Sequence, residues 1–484
     1  MARLVVKLGS SSIASGNGLA LNVIADLLTQ IASVHRDGHQ IILVTSGAAR
    51  LGTQLLTFEG PTARAAPELQ RLVDTARLAV SEASVGPLAA TLDRYDTTSL
   101  AGPTGIALAA AVGQPALMAL YRQLAAAVGM EVCQVLLSKS DLDSARAMRD
   151  VGLMLTSALE HGLLPVVNGN DTTNPKSELD NDQIAVAVAV AAEASRLVFL
   201  TNVRGVYADS DMRHRIPRLL PEEARAVKIS AAGEGRGGMR SKLNAAARAA
   251  YCGVECVIGS ARDSDVVARS IGARAQIGTV VQAVAGQLPP QQRWVGGIAY
   301  PMGSIGINRE AERSLRAGST LFLSGVKRVD GDFEPGSVVE LVDVRHPERL
   351  IGRGSVAMSS AVLRLLRALS PDQVGDVLSA LFRVRHPVGP PAADLLDPDK
   401  YEDIADLAGG RSQAARQALE EVRSATPDRV RVLTDALLQS QPRACAALLA
   451  DGSFLSGQVL DGSSARRAVR DMHAVHRDSL VVYG

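Results

Sequence analysis

The chain has 484 residues, is 47% hydrophobic and 21% charged, and carries 51 Lys and Arg against 50 Asp and Glu for a net charge of +1. That length exceeds one ordinary hydrophobic core, so two or three domains are expected, and the neutral balance gives no overall field to draw nucleic acid or a membrane surface. Aromatic residues are only 3% of the chain, leaving few platforms for base stacking, and Cys133, Cys252, Cys256 and Cys445 lack paired metal-ligand spacing.

The first residues run straight into a strand, and their apolar run is too short for a signal peptide. The apolar run at 184–192 stops at Glu193, short of membrane-spanning length, so no membrane segment is expected. A cytoplasmic protein with reduced cysteines is the expectation.

Residues 3–12 read as a short β-branched strand that ends in Lys7 and a small flexible loop beginning at Gly9. Such a loop resembles a backbone cradle for phosphate with a lysine as point charge. Apolar residues at helical spacing follow at 21–35, then a second buried strand at 40–45 ending in Ser46, Gly47 and Ala48. Strand, helix and strand predict a parallel sheet with helices on its faces, whose ligands sit at the carboxyl ends of strands. Lys7 and Ser46 fall at such ends.

Residues 51–106, with Pro61, Pro67, Pro87 and Pro103, read as an excursion from the sheet containing a helix at about 69–83. A helix rich in Ala and Leu is expected at 107–127 with Gly113 and Gln114 inside it, a strand at 132–137 and a helix at 144–161. The strand at 163–167 leads into a polar stretch, 168–182, before the helical run from Ile184. Its two clusters, Asn168 to Asp171 and Asp180 to Asp182, serve either as turns or as a pocket for the polar ends of a small molecule; one turn needs fewer such residues. A strand at 196–201 ends in Thr201 and Asn202. The glycine-rich segment 233–242 is either a hinge or a helix N-terminus that opens its N–H groups to phosphate, with Lys242 one turn in. A further strand at 255–259 closes this domain, expected to end near residue 285.

Residues 287–293 read as a linker. From Trp294 the pattern changes to short strands at 303–308, 319–323, 326–329, 337–342 and 350–356, with turns at Gly331 and Gly336. From 363 to about 470 the chain reads as helical, with amphipathic segments at 371–382 and 413–439 and a polar face of mixed charge, and strand character returns at 474–482.

Seven motifs in order, over about residues 1–285, resemble the glutamate 5-kinases of the amino-acid-kinase family: Val5-Val6-Lys7-Leu8-Gly9-Ser10; Val44-Thr45-Ser46-Gly47-Ala48; Ala110-Ala111-Val112-Gly113-Gln114; Asn168 with Asn170 and Asp171; Asp180-Asn181-Asp182; Leu200-Thr201 with Gly205-Val206-Tyr207; and Gly237-Gly238-Met239-Arg240-Ser241-Lys242. The later region, including Gly331 to Gly336 and the terminal strand, resembles the PUA domain of bacterial members. The resemblance implies an amino-acid-kinase fold over 1–285 (an α/β sheet, mostly parallel, between helix layers) and a small β-rich PUA-like domain over 294–484. The helical segment at about 368–470 would then be an insertion within the second domain.

It further implies transfer of the γ-phosphoryl group of ATP to a carboxylate, most simply the γ-carboxylate of L-glutamate on the route to proline. Lys7 and Lys242 would meet the moving phosphoryl group and Asp182 would orient both. Ser46, Asn168, Asp171, Asp180 and Asn181 would surround the amino acid. Lys7, Gly9, Thr201, Asn202, Gly237, Gly238, Met239, Ser241 and Lys242 would hold ATP, with Mg2+ carried in by the nucleotide and no metal site of the protein's own. A homo-oligomer is also implied.

Four features depart from the family. Gly169 stands where a Glu is usual, Asn202 where an Asp is usual, the 51–106 stretch is long and lacks the Lys-Gln-Ala segment, and the helical insertion is extra. The changes fall mainly on the acceptor side, so a kinase of another amino acid or glutamate analogue is the near alternative. A non-catalytic amino-acid or RNA-binding regulator is the distant one, and the retained Lys7, Lys242 and Asp182 argue against it.

Overall fold

Short runs rich in valine, isoleucine and leucine become strands buried on both faces, the condition under which a parallel sheet forms. The computed structural model describes residues 1–9, 12, 14–15, 18–56, 102–173, 180–209, 211–227, 238–271, 277–284, 288–367, 432–433, 435 and 473–483, divided between two units, Met1–Ala299 and Tyr300–Gly484.

The first unit contains β1 (Arg3–Leu8), the two-stranded hairpin β2 (Ala14–Ser15) and β3 (Gly18–Leu19), β4 (Gln40–Val44), β5 (Val132–Leu137), β6 (Leu164–Gly169), β7 (Arg196–Thr201), β8 (Arg218–Leu219), β9 (Glu255–Ser260) and β10 (Thr279–Val281). Its sheet has the order β5-β6-β4-β1-β7-β9-β10-β8. All neighbours from β5 to β9 are parallel, and β10 runs antiparallel to β9.

Helices α1 (Leu21–Arg36), α2 (Ala48–Leu56) and α3 (Pro103–Ala127) cover one face, while α4 (Ala145–Glu160), α5 (Asn181–Ala191) and α6 (Met239–Tyr251) cover the other. Successive side chains of a strand alternate between these layers. In β1, Leu4, Val6 and Leu8 pack with the first layer and Val5 with the second. Lys7 therefore shares the face of Val5, toward the N-terminus of α5.

The α5 sequence alternates Val and Ala from Val186, a pattern that suits a strand equally well. Burial all round settles it as a helix, since every residue from Ile184 to Val190 is buried. Asp180 caps it, its Oδ1 accepting from the Asp182 backbone N–H at 3.1 Å.

Helix α2 runs from Ala48 into the stretch expected to be an excursion, and α3 starts at Pro103, four residues before the expected 107. Helix α3 is also long and apolar enough to span a membrane by length and composition, where no such segment is expected from the sequence. Its face of Ala109, Ala110, Gly113, Leu117, Tyr121 and Ala125 is buried against the sheet and α2, so this apolarity serves packing. The crossing of α2 and α3 is set by glycines: a Cβ on Gly52 would lie 1.6 Å from the Ala109 carbonyl oxygen, and one on Gly113 would lie 1.9 Å from that of Ala48. Gly52→Ala is expected to destabilise this unit by about 3 kcal/mol, because backbone must separate from backbone. The single tryptophan, Trp294, lies in the same unit, so its fluorescence in a urea titration measures the effect. A change below about 0.5 kcal/mol, the usual surface value, would show that the helices slide apart freely.

Residues read as linker and as the start of the β domain belong to the first unit. Pro290–Arg293 is a helical turn and Trp294–Ile298 a π-helical turn, and the second unit begins at Tyr300 instead of Trp294. The cause is apolar: Val295 and Ile298 are buried, the Trp294 indole N–H donates to the Leu142 carbonyl at 3.2 Å, and Gly297 sits where a Cβ would lie 2.8 Å from Cys252 Sγ and 2.9 Å from Val190 Cγ2.

The second unit has β11 (Ser304–Ile307), β12 (Leu321–Phe322), β13 (Val326–Asp330), β14 (Val338–Asp343), β15 (Leu350–Val356) and β16 (His473–Val482), in the order β12-β16-β15-β14-β11-β13. Strand β16 is hydrogen-bonded between β12 and β15, so the chain after α7 (Ser360–Leu366) leaves this sheet and returns to it. Arg349 bridges Glu312 and Asp343 and holds the Glu312 carboxyl below the usual carboxylate range. The helix expected at about 69–83, nearly all of the insertion at 368–470, Cys445 and Gly237 lie outside the described residues.

Candidate active site

The carboxyl ends of β6, β4, β1 and β7 stand side by side, with Lys7 level with Val44 on one neighbour and Phe199 on the other, and Val44 level with Val167. At this edge two ammonium groups meet one carboxylate. Lys7 Nζ lies 2.6 Å from Asp182 Oδ1, and Lys242 Nζ lies 3.3 Å from Asp182 Oδ2. Asp182 is fully buried, and Lys7 and Lys242 are 3% and 5% exposed.

Each partner comes from a different element for a local reason. The pleat of β1 turns Lys7 toward the second helix layer, the Asp180 cap fixes the first turn of α5, and Lys242 lies in the first turn of α6 after Gly238. The two helix starts are tied together where Ser241 Oγ–H donates to Asp180 Oδ2 at 2.7 Å. Two buried ammonium groups thus converge on one carboxylate at the strand ends. An anion bound beside them would meet both ammonium groups at once.

Farther along the edge lies a cluster of amides. The Gly169 backbone N–H donates to Asn168 Oδ1 at 2.9 Å, and Asn168 Nδ2 donates to Gln114 Oε1 at 2.9 Å. Gly169 has room beside it: a Cβ there would make ordinary contacts with Ile184 Cδ1 at 3.4 Å, Asp171 Oδ1 at 3.5 Å and Asn181 Oδ1 at 3.7 Å. Asn168, Asp171, Asn181 and Gly169 are therefore neighbours, and the two polar clusters of the 168–182 stretch converge as one site. Thr45, on the opposite face to Lys7, bonds Tyr121 Oη at 2.6 Å; burial pushes that phenol up to about 12 despite the hydroxyl contact, so it stays a neutral anchor between β4 and α3.

Ser46 Oγ–H reaches back to the Leu8 carbonyl at 3.4 Å, linking the ends of β4 and β1. Gly9 is buried at the end of β1, and the Ser12 backbone N–H donates to its carbonyl at 3.0 Å. Thr201 and Asn202 stand at the end of β7, half-buried and exposed, next to β1 but outside the lysine cluster. Gly238 and Met239 begin α6, both half-buried. The contact that sequence reasoning missed is Gln114 with Asn168. Its signal was a lone amide on the apolar face formed by Ala109, Ala110, Gly113 and Leu117. Among the described residues no group of three or more His, Cys, Asp or Glu could hold a metal.

The amino acid kinase family model matches residues 2–260, and the PUA domain model matches residues 303–373. Similar curated proteins include the glutamate 5-kinase of Gloeobacter violaceus, 33% identical over 78% of this chain and 95% of its own length. That of Ralstonia nicotianae is 32% identical over 78% and 92%, and that of Thermotoga maritima 30% identical over 75% and 90%.

Proposed function

The chain belongs to the amino acid kinase family, and from that premise we propose that it moves the γ-phosphoryl group of ATP onto the side-chain carboxylate of L-glutamate, the first step toward proline. The observation that carries this reading is the buried pair of lysines sharing Asp182. In phosphoryl transfer the protein mainly positions two anions and neutralises the charge of the moving group. Lys7 and Lys242 do this from two sides. Asp182 keeps both ammonium groups aimed at one point.

A carboxylate oxygen of the acceptor attacks the γ-phosphorus, the bond from that phosphorus to the bridging oxygen breaks, and ADP leaves with the bond's electron pair. The product is an acyl phosphate. The acceptor carboxylate is already ionised at neutral pH, with a free pKa of about 4.3, so no general base is required. Asp171, Asp180, Asn181 and Ser46 bound the acceptor side, where carboxylates and amide oxygens receive an ammonium group. Gly9, Thr201, Asn202 and the start of α6, with Gly238, Met239 and Ser241 after the expected Gly237, take the nucleotide. Mg2+ suits this donor set as an ion that arrives on ATP with phosphate and water oxygens around it, where it supplies charge neutralisation. We place the reaction in the cytoplasm and expect the protein to work as a homo-oligomer.

A second reading is favoured by Gly169. With no side chain there, no carboxylate stands beside Asp171 and Asn181, which suits another amino acid or a glutamate analogue with the same chemistry. ATP turnover against a panel of amino acids and small carboxylates, with the acyl phosphate trapped by hydroxylamine, separates the two. Hydroxamate formed fastest from L-glutamate supports the first, and fast trapping with another acid but slow trapping with glutamate supports the second. No ATP-dependent hydroxamate with any acid would overturn both.

A further inference from the structure

We infer that Gln114 determines acceptor specificity by donating a hydrogen bond from Nε2 to the carboxylate of the acceptor that does not react. The inference rests on the carboxylate-kinase reading above and adds the residue that measures the acceptor's far end.

The direction of the amide chain is fixed by a group that cannot turn round. A backbone N–H can only donate, so the Gly169 N–H sets Asn168 Oδ1 on its side at 2.9 Å. Asn168 Nδ2 then faces α3 and can only donate, which sets Oε1 of Gln114 toward it at 2.9 Å. Nε2 of Gln114 is left pointing away from Asn168 as a pure donor. It is buried and has no partner among the described residues, on a side chain only 8% exposed. Buried donors of folded proteins almost always find an acceptor, so this one is prepared for a ligand oxygen.

Position identifies the oxygen. Asn168 lies at the end of β6, two strands from Lys7, with β4 between. Two strand spacings are about 10 Å, too far for Gln114 to share the carboxylate held at the lysines. A dicarboxylic amino acid lying along this edge places its reacting carboxylate at Lys7 and Lys242 and its other carboxylate toward β6. The unpartnered buried oxygen of Asn181, close to Gly169 at the start of α5 on the other face of the sheet, is an acceptor that suits the ammonium group.

The test uses Gln114→Glu, which keeps the shape and the acceptor for Asn168 but replaces the donor with an anion, and Gln114→Met, which removes both polar atoms. Rates are measured by hydroxamate trapping with L-glutamate and with 4-aminobutyrate, the analogue that lacks the far carboxylate. For L-glutamate the KM is expected to rise about 30-fold in either variant, the range of a hydrogen bond to a charged group, with the KM for ATP within about twofold. Turnover of 4-aminobutyrate is expected to match wild type within about twofold, since the contact at issue is absent from that acceptor. An unchanged KM for L-glutamate, or equal loss on both acceptors, would overturn the assignment. If the wild-type protein forms no hydroxamate from any acid, the kinase reading fails, and calorimetry with L-glutamate decides Gln114 separately. Weaker binding in both variants at unchanged melting temperature then supports it, and equal binding overturns it.

Discussion

Replacing Lys242 by alanine is expected to lower kcat about a thousandfold while leaving the fold in place, an effect in the range found when one preorganised charge donor is removed from a transition state. Lys242 lies in the first turn of α6 and touches Asp182 by its terminal nitrogen at 3.3 Å, longer than the 2.6 Å contact of Lys7. Asp182 keeps Lys7 as a partner in the variant, so no buried charge is stranded and stability changes little. Steady-state kinetics with the hydroxamate assay check the rate, and Trp294 fluorescence in urea checks the fold. A kcat within about threefold of wild type would remove Lys242 from the transferring group.

Asp182→Leu is expected to do more harm to the fold than to any single contact. It strands two ammonium groups that are 3% and 5% exposed, and breaking a buried ion pair from one side costs about 3–5 kcal/mol. Activity is lost with it. The useful comparison is the triple variant in which Lys7 and Lys242 are also replaced by methionine. Apolar residues of similar volume often match a buried ion pair in stability, so the triple variant is expected to recover most of the loss and remain inactive. Urea unfolding of the single and triple variants measures this. A single variant as stable as wild type would mean that water already reaches both lysines.

The strands were legible because parallel strands buried on both faces read as unbroken apolar runs, as at Arg196–Thr201 and Glu255–Ser260. Lys7, Asp182 and Lys242 were legible as motif residues, while their meeting at one point depends on the strand order β1 next to β4 and β7, which no local signal carries. Helix α2 was missed because it is short and interrupted by Gly52 and Thr53 among otherwise good helix formers, and it is held by its glycine crossing with α3. The turn at 290–293 read as linker because Pro289, Pro290 and several glutamines resemble one, and 294–298 read as the opening of the β domain; the apolar Trp294, Val295 and Ile298 decide otherwise. Gln114 escaped notice because its partner Asn168 is 54 positions away, so its cost as a buried amide appears only when the two are seen together.

Strand β16 sits between β12 and β15, so the smaller unit closes its sheet with a strand made long after both of its neighbours. The larger unit draws on a single continuous segment, Met1–Ala299, and can complete its core while translation goes on. The smaller unit must instead hold the edges of β12 and β15 open until residues 473–482 emerge, and open edges are where chains stick to one another. A chain broken before that strand would thus carry a finished first unit joined to an adhesive remnant, which makes β16 a check on the folding of the second unit.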